Sequence, residues 1–356
     1  MTITIGMIGS HSAEEIGVAA KLMGLKTVVF CQKGREKLYA TYNKHLYDHI
    51  IIVDKFSDIL EPKHTKKLQD LNTVIIPNRS LTSYLGYDGF EKWDVPIYGN
   101  RLLQRIEDRD FERNQYWLMK QVGIRYPKQF TKDNVDTLSI VKVQQKHKPL
   151  ERAFFYVSSP DEFQQEAEHL IKLDLVNEQD LQHPVIEEFV LGPRYNANYH
   201  AYANPEYFDT EFEFVGFDDR VQANLQGILN LPASVQHSIK IPITNEEIGH
   251  RPVTLRESKK AHVYNVAEQF LEGVKKHFPP RMIGMFALQG AFNDQNEFVI
   301  FDISPRVPGA PILASTSPEM KRLSLKYQEE ITTPLQFTMM ELKRADAENK
   351  IDSITT

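Results

Sequence analysis

Two polar side chains with oxygen atoms interrupt two neighbouring apolar segments towards the C-terminal end of the chain. They are Gln289 and Asp302, and the turn-forming cluster Asn293–Asn296 separates the two segments, so these are predicted to be the strands of a hairpin. A buried carboxylate needs a compensating cation or donor, and Mg²⁺ prefers oxygen ligands. The hairpin is therefore predicted to be the floor of a metal–nucleotide site. The alternative is an ordinary core hairpin in which Arg306 compensates Asp302.

Length and composition define the class of protein. The 356 residues are enough for two or three domains, and 41% hydrophobic and 25% charged residues are ordinary for a globular protein. A net charge of -6 argues against a nucleic-acid binder with a large basic surface. Cys31 is the single cysteine, so no intrachain disulfide can form, which fits a cytoplasmic protein. No apolar run approaches the roughly 20 residues of a membrane span, and the N-terminus lacks the features of a signal peptide.

Strands and helices are predicted to alternate through the first hundred residues. The strands are Thr2–Ile8, Thr27–Phe30, His49–Val53 and Thr73–Ile76, and the helices are Ala13–Met23 and Lys63–Asp70. This alternation favours a parallel, doubly wound sheet, in which ligands bind beyond the carboxyl ends of the strands. The loop Gly9–Ser12 lies at that edge and leads into a helix, so it is predicted to be a phosphate site. A capped helix beside solvated basic loops is the alternative interpretation.

The rest of the chain has a different pattern. A charged helix is predicted over Gln104–Val122, followed by a compact α+β segment that ends with the strand Val185–Val190. A long helix is predicted over Ser258–His277, and the polar stretch Lys343–Thr356 is predicted to be a helix end followed by a frayed tail. The predicted domains are residues 1–103, 104–190 and 191–356.

An ordered series of motifs resembles a known family, the archaeal formate-dependent 5-formaminoimidazole-4-carboxamide ribonucleotide synthetases of the ATP-grasp superfamily. The motifs are Gly9–Ser12, Ile75–Pro77 with Ser80, Pro96–Arg101, Ile140–Lys142, Ile186–Gly192, Gly216–Arg220, Leu255–Ser258, Pro280–Gly284 and Phe301–Arg306. The resemblance implies an ATP-grasp fold, a mixture of α/β and α+β structure with an N-terminal doubly wound (Rossmann-like) domain, a central lid domain and a C-terminal domain.

The resemblance also implies an activity. ATP would activate formate to formyl phosphate, and the amine of 5-aminoimidazole-4-carboxamide ribonucleotide would then be formylated, as a step of purine biosynthesis. The cofactors would be ATP with Mg²⁺ or Mn²⁺. The partners would be small molecules, the ribonucleotide and formate, without nucleic acid or membrane, and the protein would be a homo-oligomer in the cytoplasm.

Individual residues match the positions of the family's site. Lys142 and Arg306 would be catalytic, and Gln289 and Asp302 would take the two metal-ligand positions. The remaining residues divide between the nucleotide and the second substrate. The nucleotide residues would be Lys142, Arg152, Glu187, Glu188, Phe189, Val190 and Gln222, and the substrate residues would be His11, Ser80, His250 and Arg256.

The chain departs from the family pattern where the chemistry is expected. The family's lid is rich in glycine, whereas Gln144–Phe155 contains none. Two acidic positions are amides, Gln222 and Gln289, and His250 replaces an asparagine. An amide oxygen ligates Mg²⁺ without neutralising its charge. Two alternatives to the ligase therefore stay open: a non-catalytic paralogue that retains the ribonucleotide pocket, and a ligase with a changed acyl donor or amine acceptor.

Overall fold

The structure is a computed structural model in which residues 2–143, 153–238, 247–309 and 318–356 are described. Its strands form three sheets. The N-terminal sheet contains β1 (Thr4–Ile8), β2 (Lys26–Gln32), β3 (His49–Val53) and β4 (Thr73–Ile75); the central sheet contains β5 (Gln129–Phe130), β6 (Ser139–Val143), β7 (Ala153–Val157) and β8 (Val185–Glu188); and the C-terminal sheet contains β9 (Arg194–Ala201), β10 (Phe212–Gln222), β11 (Glu247–Val253), β12 (Gly284–Phe292) and β13 (Phe298–Ser304).

Helices cover these sheets and connect them. In chain order they are α1 (Ala13–Leu22), α2 (Pro62–Asp70), α3 (Arg79–Lys92), α4 (Gln115–Val122), α5 (Pro160–Lys172), α6 (Ala223–Leu229), α7 (Ala233–Ser238), α8 (Glu257–His277), α9 (Pro318–Tyr327), α10 (Gln336–Ala347) and α11 (Ile351–Ile354). A short 3₁₀ helix, Leu103–Glu107, lies between the N-terminal and central sheets in the sequence.

The N-terminal sheet is parallel and has the order β3-β2-β1-β4. Alternate side chains of β2 enter two different cores, since Val29 and Cys31 pack with α1 and α10 on one face. Val28 and Phe30 pack with α2 and α3 on the other face. The predicted doubly wound domain is therefore confirmed, and the C-terminal helix α10 supplies part of its covering.

The other two sheets are antiparallel. The central sheet has the order β5-β8-β6-β7, and its register places Ile140 of β6 opposite Glu187 of β8. The C-terminal sheet has the order β11-β10-β9-β12-β13, and it places Gln289 directly opposite Asp302. Helix α8 buries Phe270 and its apolar neighbours against this sheet. The predicted hairpin is thus the pair β12 and β13, and the predicted ATP-grasp mixture of α/β and α+β structure is confirmed.

The predicted helix over Gln104–Val122 is wrong as a single element. The chain forms the 3₁₀ helix Leu103–Glu107, then turns, and begins α4 at Gln115. Asn114 causes the second start, since its side-chain oxygen accepts hydrogen bonds from two backbone N–H groups of the first turn of α4. Local capping therefore overrides the helical pattern of charges.

The predicted frayed tail is also wrong. Thr356 exchanges two backbone hydrogen bonds with Ile97, and the guanidinium of Arg101 donates to its carbonyl oxygen. In the described parts of the chain, no helix is long and apolar enough to cross a membrane. The domain limits at 103 and 190 stay predictions.

Candidate active site

A cleft lies between the central and C-terminal sheets. It brings together eight residues that were predicted to bind nucleotide or metal. They are Lys142, Glu187, Glu188, Phe189, Val190, Gln222, Gln289 and Asp302. Arg109, Arg194 and Arg220 line the same cleft, so guanidinium groups stand beside its carboxylates. Guanidinium groups suit phosphate oxygens, and the cleft therefore has the composition of a nucleotide site.

The wall formed by the central sheet contains a buried ion pair. The ammonium group of Lys142 contacts one carboxylate oxygen of Glu187, whose side chain is 2% exposed. The hydroxyl of Tyr116 donates to the second oxygen, which also lies 3.8 Å from Nη1 of Arg109. Because a buried carboxylate needs such partners, Glu187 keeps Lys142 fixed at the cleft.

The neighbouring wall is aromatic. The rings of Phe189 and Tyr156 meet edge to face with 5.1 Å between their centroids. The guanidinium of Arg194 lies 5.1 Å from the centroid of Phe189. An aromatic wall beside apolar side chains is suited to a flat heterocycle such as a nucleotide base.

The floor of the cleft is the hairpin of β12 and β13. The amide oxygen of Gln289 accepts a hydrogen bond from Nη2 of Arg220 at 2.5 Å, and its amide nitrogen donates to Ser304. In the described residues, no group of three or more acidic, histidine or cysteine side chains is arranged to hold a metal. Asp302 supplies one carboxylate, and the amide oxygen of Gln289 opposite it keeps a second lone pair. These two oxygen ligands fit a single Mg²⁺ that takes its other ligands from phosphates and water.

The loop before α1 has strained backbone. His11 and Ser12 have φ values of 32° and 71°, in the left-handed region that is costly for residues other than glycine. The side-chain amide of Asn78 stabilises this loop by donating to the carbonyl oxygens of Ser10 and His11. The hydroxyl of Ser12 donates to Pro308, which follows β13. The loop is therefore attached to the end of the hairpin strand that carries Asp302.

A second cavity lies against this loop. Ser10, His11, Arg35 and Lys37 line it, together with Tyr39. Burial, with the positive charge of Arg306, lowers the pKa of His11 to about 4, so its imidazole is neutral at pH 7. The cavity combines a neutral histidine with two cations, which suits a phosphorylated substrate.

His250 of β11 lies between two carboxylates. Its Nδ1 donates to Asp218 at 2.6 Å and its Nε2 donates to Glu247 at 2.7 Å. Burial opposes the charge of His250, but these two bonds raise its pKa to about 9, so it is an imidazolium at pH 7. Burial also opposes the ionisation of Glu247, whose pKa is nevertheless lowered to about 2 by the bond from His250 and the charge of Arg220. A Cβ atom built on Gly309 would lie about 3 Å from His11 as well as from His250 and Glu247, so these three side chains meet.

Arg306 follows β13 and is also held by a carboxylate. Its Nε lies 3.0 Å from Glu107 of the 3₁₀ helix, and the other oxygen of Glu107 accepts a hydrogen bond from Arg79 at 2.6 Å. Burial lowers the pKa of Arg306, and the charge of Glu107 opposes that effect. Arg306 therefore lies between the floor of the cleft and the loop of His11, with a fixed counter-ion.

Comparison with known proteins places the chain in a family. Residues 5–130 match a family described as a protein of unknown function (DUF1246), and residues 162–356 match one described as a domain of unknown function (DUF1297). The 5-formaminoimidazole-4-carboxamide-1-(beta)-D-ribofuranosyl 5'-monophosphate synthetase of Methanocaldococcus jannaschii is 34% identical over 86% of this chain and 83% of its own length. The enzyme of the same name from Methanosphaera stadtmanae is 32% identical over 99% of this chain and 94% of its own length. The chain belongs to this synthetase family.

Solved structures of other proteins have a fold similar to that of this member of the synthetase family. The IMP biosynthesis protein PurP from Thermococcus kodakaraensis has a TM-score of 0.72 at 20% identity, and the match covers 99% of this chain and all of that one. The N5-carboxyaminoimidazole synthetase from Staphylococcus aureus, complexed with ADP, has a TM-score of 0.58 at 15% identity over 87% of this chain and 73% of its own. The predicted ATP-grasp fold and family are confirmed, and an ATP-dependent ligase of purine biosynthesis is the function that they support.

The residues predicted from the synthetase motifs fall in different places. His11 lines the second cavity, whereas Ser80 is buried in the first turn of α3, two residues after the Asn78 that stabilises the loop of His11. Arg256 is exposed at the start of α8 and lines neither cavity. Arg152 and most of the glycine-free lid lie outside the described residues. The roles assigned to all of these residues stay predictions.

Three carboxylates of the site were missed by the sequence analysis. They are Glu107, Asp218 and Glu247, and each contacts a predicted site residue through a side chain. Each lies in a segment with several other charges, so nothing in its local pattern distinguishes it. Asp218 does have one signal, since it lies in the motif Gly216–Arg220 that carries the resemblance.

The stability of the protein is expected to fall as pH rises from about 6.5 to about 9 because of His250. Its pKa is raised in the folded state, so its contribution is complete below 6.5 and is lost as the folded group deprotonates near 9. The contribution is at most about 3–4 kcal/mol in the free energy of unfolding, because the pKa rises from 6.5 to about 9 on folding. Urea unfolding between pH 6 and 10 should show this slope in the wild type, and His250→Asn should remove it.

The matched control is His45→Asn, since His45 is exposed on the N-terminal domain. This variant should keep the slope of the wild type. An unchanged slope in His250→Asn would show that His250 is not the group whose proton stabilises the fold.

Proposed function

We propose that this protein is an ATP-dependent ligase that formylates 5-aminoimidazole-4-carboxamide ribonucleotide with formate. The observation that carries the proposal is that two half-sites, the nucleotide cleft and the loop of His11 with its cavity, are attached to each other. The nucleotide cleft ends at the hairpin of Asp302, and the loop of His11 is attached to the same strand end through Ser12 and Pro308. An acyl group that is phosphorylated at the end of the cleft would therefore lie within reach of an amine bound at the loop.

The first chemical step activates formate. One formate oxygen attacks the γ-phosphorus of ATP, the bond from that phosphorus to the β-phosphate oxygen breaks, and formyl phosphate and ADP result. Lys142 would bind the phosphates, and Glu188, Phe189 and Val190 would line the base. Asp302 and Gln289 would hold Mg²⁺ or Mn²⁺, which neutralises phosphate charge when bound. Arg306 would stabilise the charge that develops on the transferred group.

The second step transfers the formyl group. The amine of the ribonucleotide attacks the carbonyl carbon of formyl phosphate, the carbon–oxygen bond to phosphate breaks, and the amine loses one proton. His11 and Ser80 would orient the ribonucleotide, and its phosphate would lie near Arg35 and Lys37 of the second cavity. The imidazolium of His250 would support this arrangement from β11, where Asp218 fixes it.

We also propose that the enzyme works in the cytoplasm as a homo-oligomer, on small molecules and without nucleic acid. Its relatives carry the name of a ribonucleotide synthetase, which supports small-molecule substrates. Light scattering during size-exclusion chromatography would measure the oligomeric state.

A non-catalytic paralogue is the second candidate, and two contacts favour it. The amide oxygen of Gln289 is bonded to Arg220, and the ammonium of Lys142 is bonded to Glu187, so a predicted metal ligand and a predicted nucleotide contact already have protein partners. Such a paralogue would bind the ribonucleotide without turning over ATP.

Calorimetric titration and an ADP-release assay separate the two candidates. For the ligase, we expect binding of ATP–Mg²⁺ and of the ribonucleotide, with ADP release that requires both formate and ribonucleotide. Binding of the ribonucleotide alone, with no ADP release, would reject the ligase in favour of the paralogue. ADP release supported by another carboxylate or another amine, but not by formate and the ribonucleotide, would mean that the substrates differ.

A further inference from the structure

Arg79, Glu107 and Arg306 form a charged bridge, which we name the arginine bridge. Glu107 contacts Nη1 of Arg79 at 2.6 Å with one oxygen, and its other oxygen lies 3.0 Å from Nε of Arg306. The side chains of Glu107 and Arg306 are 9% and 10% exposed, so both charges are largely removed from water. A buried carboxylate between two guanidinium groups holds both of them in place, because separating either would leave an uncompensated charge.

The three residues come from different parts of the fold. Arg79 begins α3 on the N-terminal domain, directly after the Asn78 that stabilises the loop of His11. Glu107 ends the 3₁₀ helix, and Arg306 follows β13 of the C-terminal sheet. The arginine bridge therefore connects the domain of the loop to the floor of the cleft.

The arginine bridge lies where the two half-sites meet. Arg306 lies in the segment between Asp302 and Pro308, and Pro308 accepts the hydrogen bond from Ser12 of the loop. The charge of Asp302 acts on both Arg306 and Arg79, and the charge of Arg306 acts on His11. A group that is phosphorylated in the cleft and then attacked by a substrate at the loop of His11 has to occupy this junction.

The charge of the arginine bridge matches a small monoanion. Within the bridge, two guanidinium groups and one carboxylate leave one surplus positive charge, and the negative charge of the neighbouring Asp302 would be balanced by the metal that it is proposed to hold. Guanidinium forks bind carboxylates with two parallel hydrogen bonds, and Arg306 and Arg79 keep several donors beyond those that contact Glu107. A dianion such as a free phosphate would leave one negative charge uncompensated in a largely buried place.

We propose that Arg79 and Arg306 bind the carboxylate of the acyl donor, with Glu107 as the positioning residue that fixes both guanidinium groups. The inference rests on the proposed ligase function and deepens it by assigning the acyl-donor subsite. Arg79 is thereby a further substrate-binding residue. The donor class is a small monocarboxylate, of which formate is the smallest.

The test measures formate kinetics in the complete enzyme with saturating ATP–Mg²⁺ and ribonucleotide. Arg79→Met removes one of the two guanidinium groups. We expect the KM for formate to rise about tenfold to a hundredfold, as for a lost hydrogen bond to a charged group. Arg79→Lys keeps the charge and should recover part of that loss. In both variants the KM for ATP and the Kd of the ribonucleotide should stay within about twofold of the wild type, because neither ligand is bound by Arg79.

Glu107→Gln tests positioning, since it keeps the shape and removes the charge between the two guanidinium groups. We expect it to raise the KM for formate about tenfold, because the two like charges are no longer held together. The matched control is Glu91→Gln, which removes a similar ion pair, 2.7 Å from Arg105, away from the cleft. This control should leave the KM for formate unchanged.

Equal changes in the KM for formate and the KM for ATP would overturn the inference, since a merely structural bridge would affect both. Unchanged formate kinetics in Arg79→Met and Glu107→Gln, in variants that melt as the wild type does, would also overturn it. Line broadening of ¹³C-formate by the protein tests the subsite without turnover. If the wild type broadens the formate signal and Arg79→Met does not, the subsite is supported even when no ADP is released. The absence of ADP release would reject only the ligase. If the wild type does not broaden the signal, the subsite is rejected.

Discussion

Asp302→Asn is expected to reduce ATP turnover by about 10²- to 10³-fold, the usual effect of removing one fixed electrostatic group from a reaction centre. Asp302 is the carboxylate that faces Gln289 across the hairpin, and Gln289 brings no negative charge. An asparagine keeps the shape of the side chain but leaves the metal with two neutral oxygen ligands from the protein. Mg²⁺ usually binds proteins through at least one carboxylate, so its occupancy should fall together with turnover.

Two measurements check this expectation. Turnover is measured as ADP release, and metal binding is measured by the paramagnetic resonance of Mn²⁺ with a non-hydrolysable ATP analogue. The matched control is Asp294→Asn, an exposed residue in the turn of the same hairpin, which should change neither quantity. The Kd of the ribonucleotide should stay unchanged in both variants. Full Mn²⁺ binding and turnover in Asp302→Asn would reject the metal role of Asp302.

Much of the fold follows from periodic patterns in the sequence. The alternation of apolar strands and helices in the first hundred residues predicts a parallel sheet, because a parallel pair of strands needs a crossover between them. The strand His49–Val53 is found with the bounds that were predicted, and α8 begins one residue earlier than predicted. These elements are determined by burial of whole faces, which a pattern of apolar residues records.

The errors occur where single hydrogen bonds decide the structure. The charged stretch after Leu103 has a helical composition, but one side-chain cap at Asn114 restarts the helix. The polar tail was predicted to fray because it offers little apolar surface. It is held by backbone hydrogen bonds to Ile97 and by Arg101, and neither contact leaves a trace in local composition.

The candidate site shows the same difference between residues that local motifs predict and contacts that depend on the tertiary arrangement. The motifs predicted Lys142, Gln289 and Asp302, and the structure brings all three to one cleft. The partners that set the charge of the site were not predictable, since Glu107 contacts Arg306 across 199 positions of the sequence, the difference of their numbers. Long-range ion pairs depend on the tertiary arrangement, and one sequence without an alignment carries no record of them.

Lys142→Met is expected to have the second large effect, on both stability and nucleotide binding. The ammonium of Lys142 is the close cation of the buried carboxylate of Glu187, whereas Arg109 lies 3.8 Å away. Removal of one partner of a buried ion pair typically costs about 3–5 kcal/mol, because the other charge is left uncompensated. If Lys142 also binds phosphates, the affinity for ATP–Mg²⁺ should fall at least about tenfold, as for a lost hydrogen bond to a charged group.

The double variant Lys142→Met with Glu187→Gln separates these two effects. Glutamine removes the uncompensated charge and can still accept a hydrogen bond from Tyr116, so most of the lost free energy of unfolding should return. The affinity for ATP–Mg²⁺ should not return, because the ammonium that would contact the phosphates is still absent. Urea unfolding and calorimetry measure the two quantities in the same preparation. If ATP binding recovered together with stability, Lys142 would act only as the counter-ion of Glu187, and the phosphate contact would have to come from another cation of the cleft, such as Arg109 or Arg220.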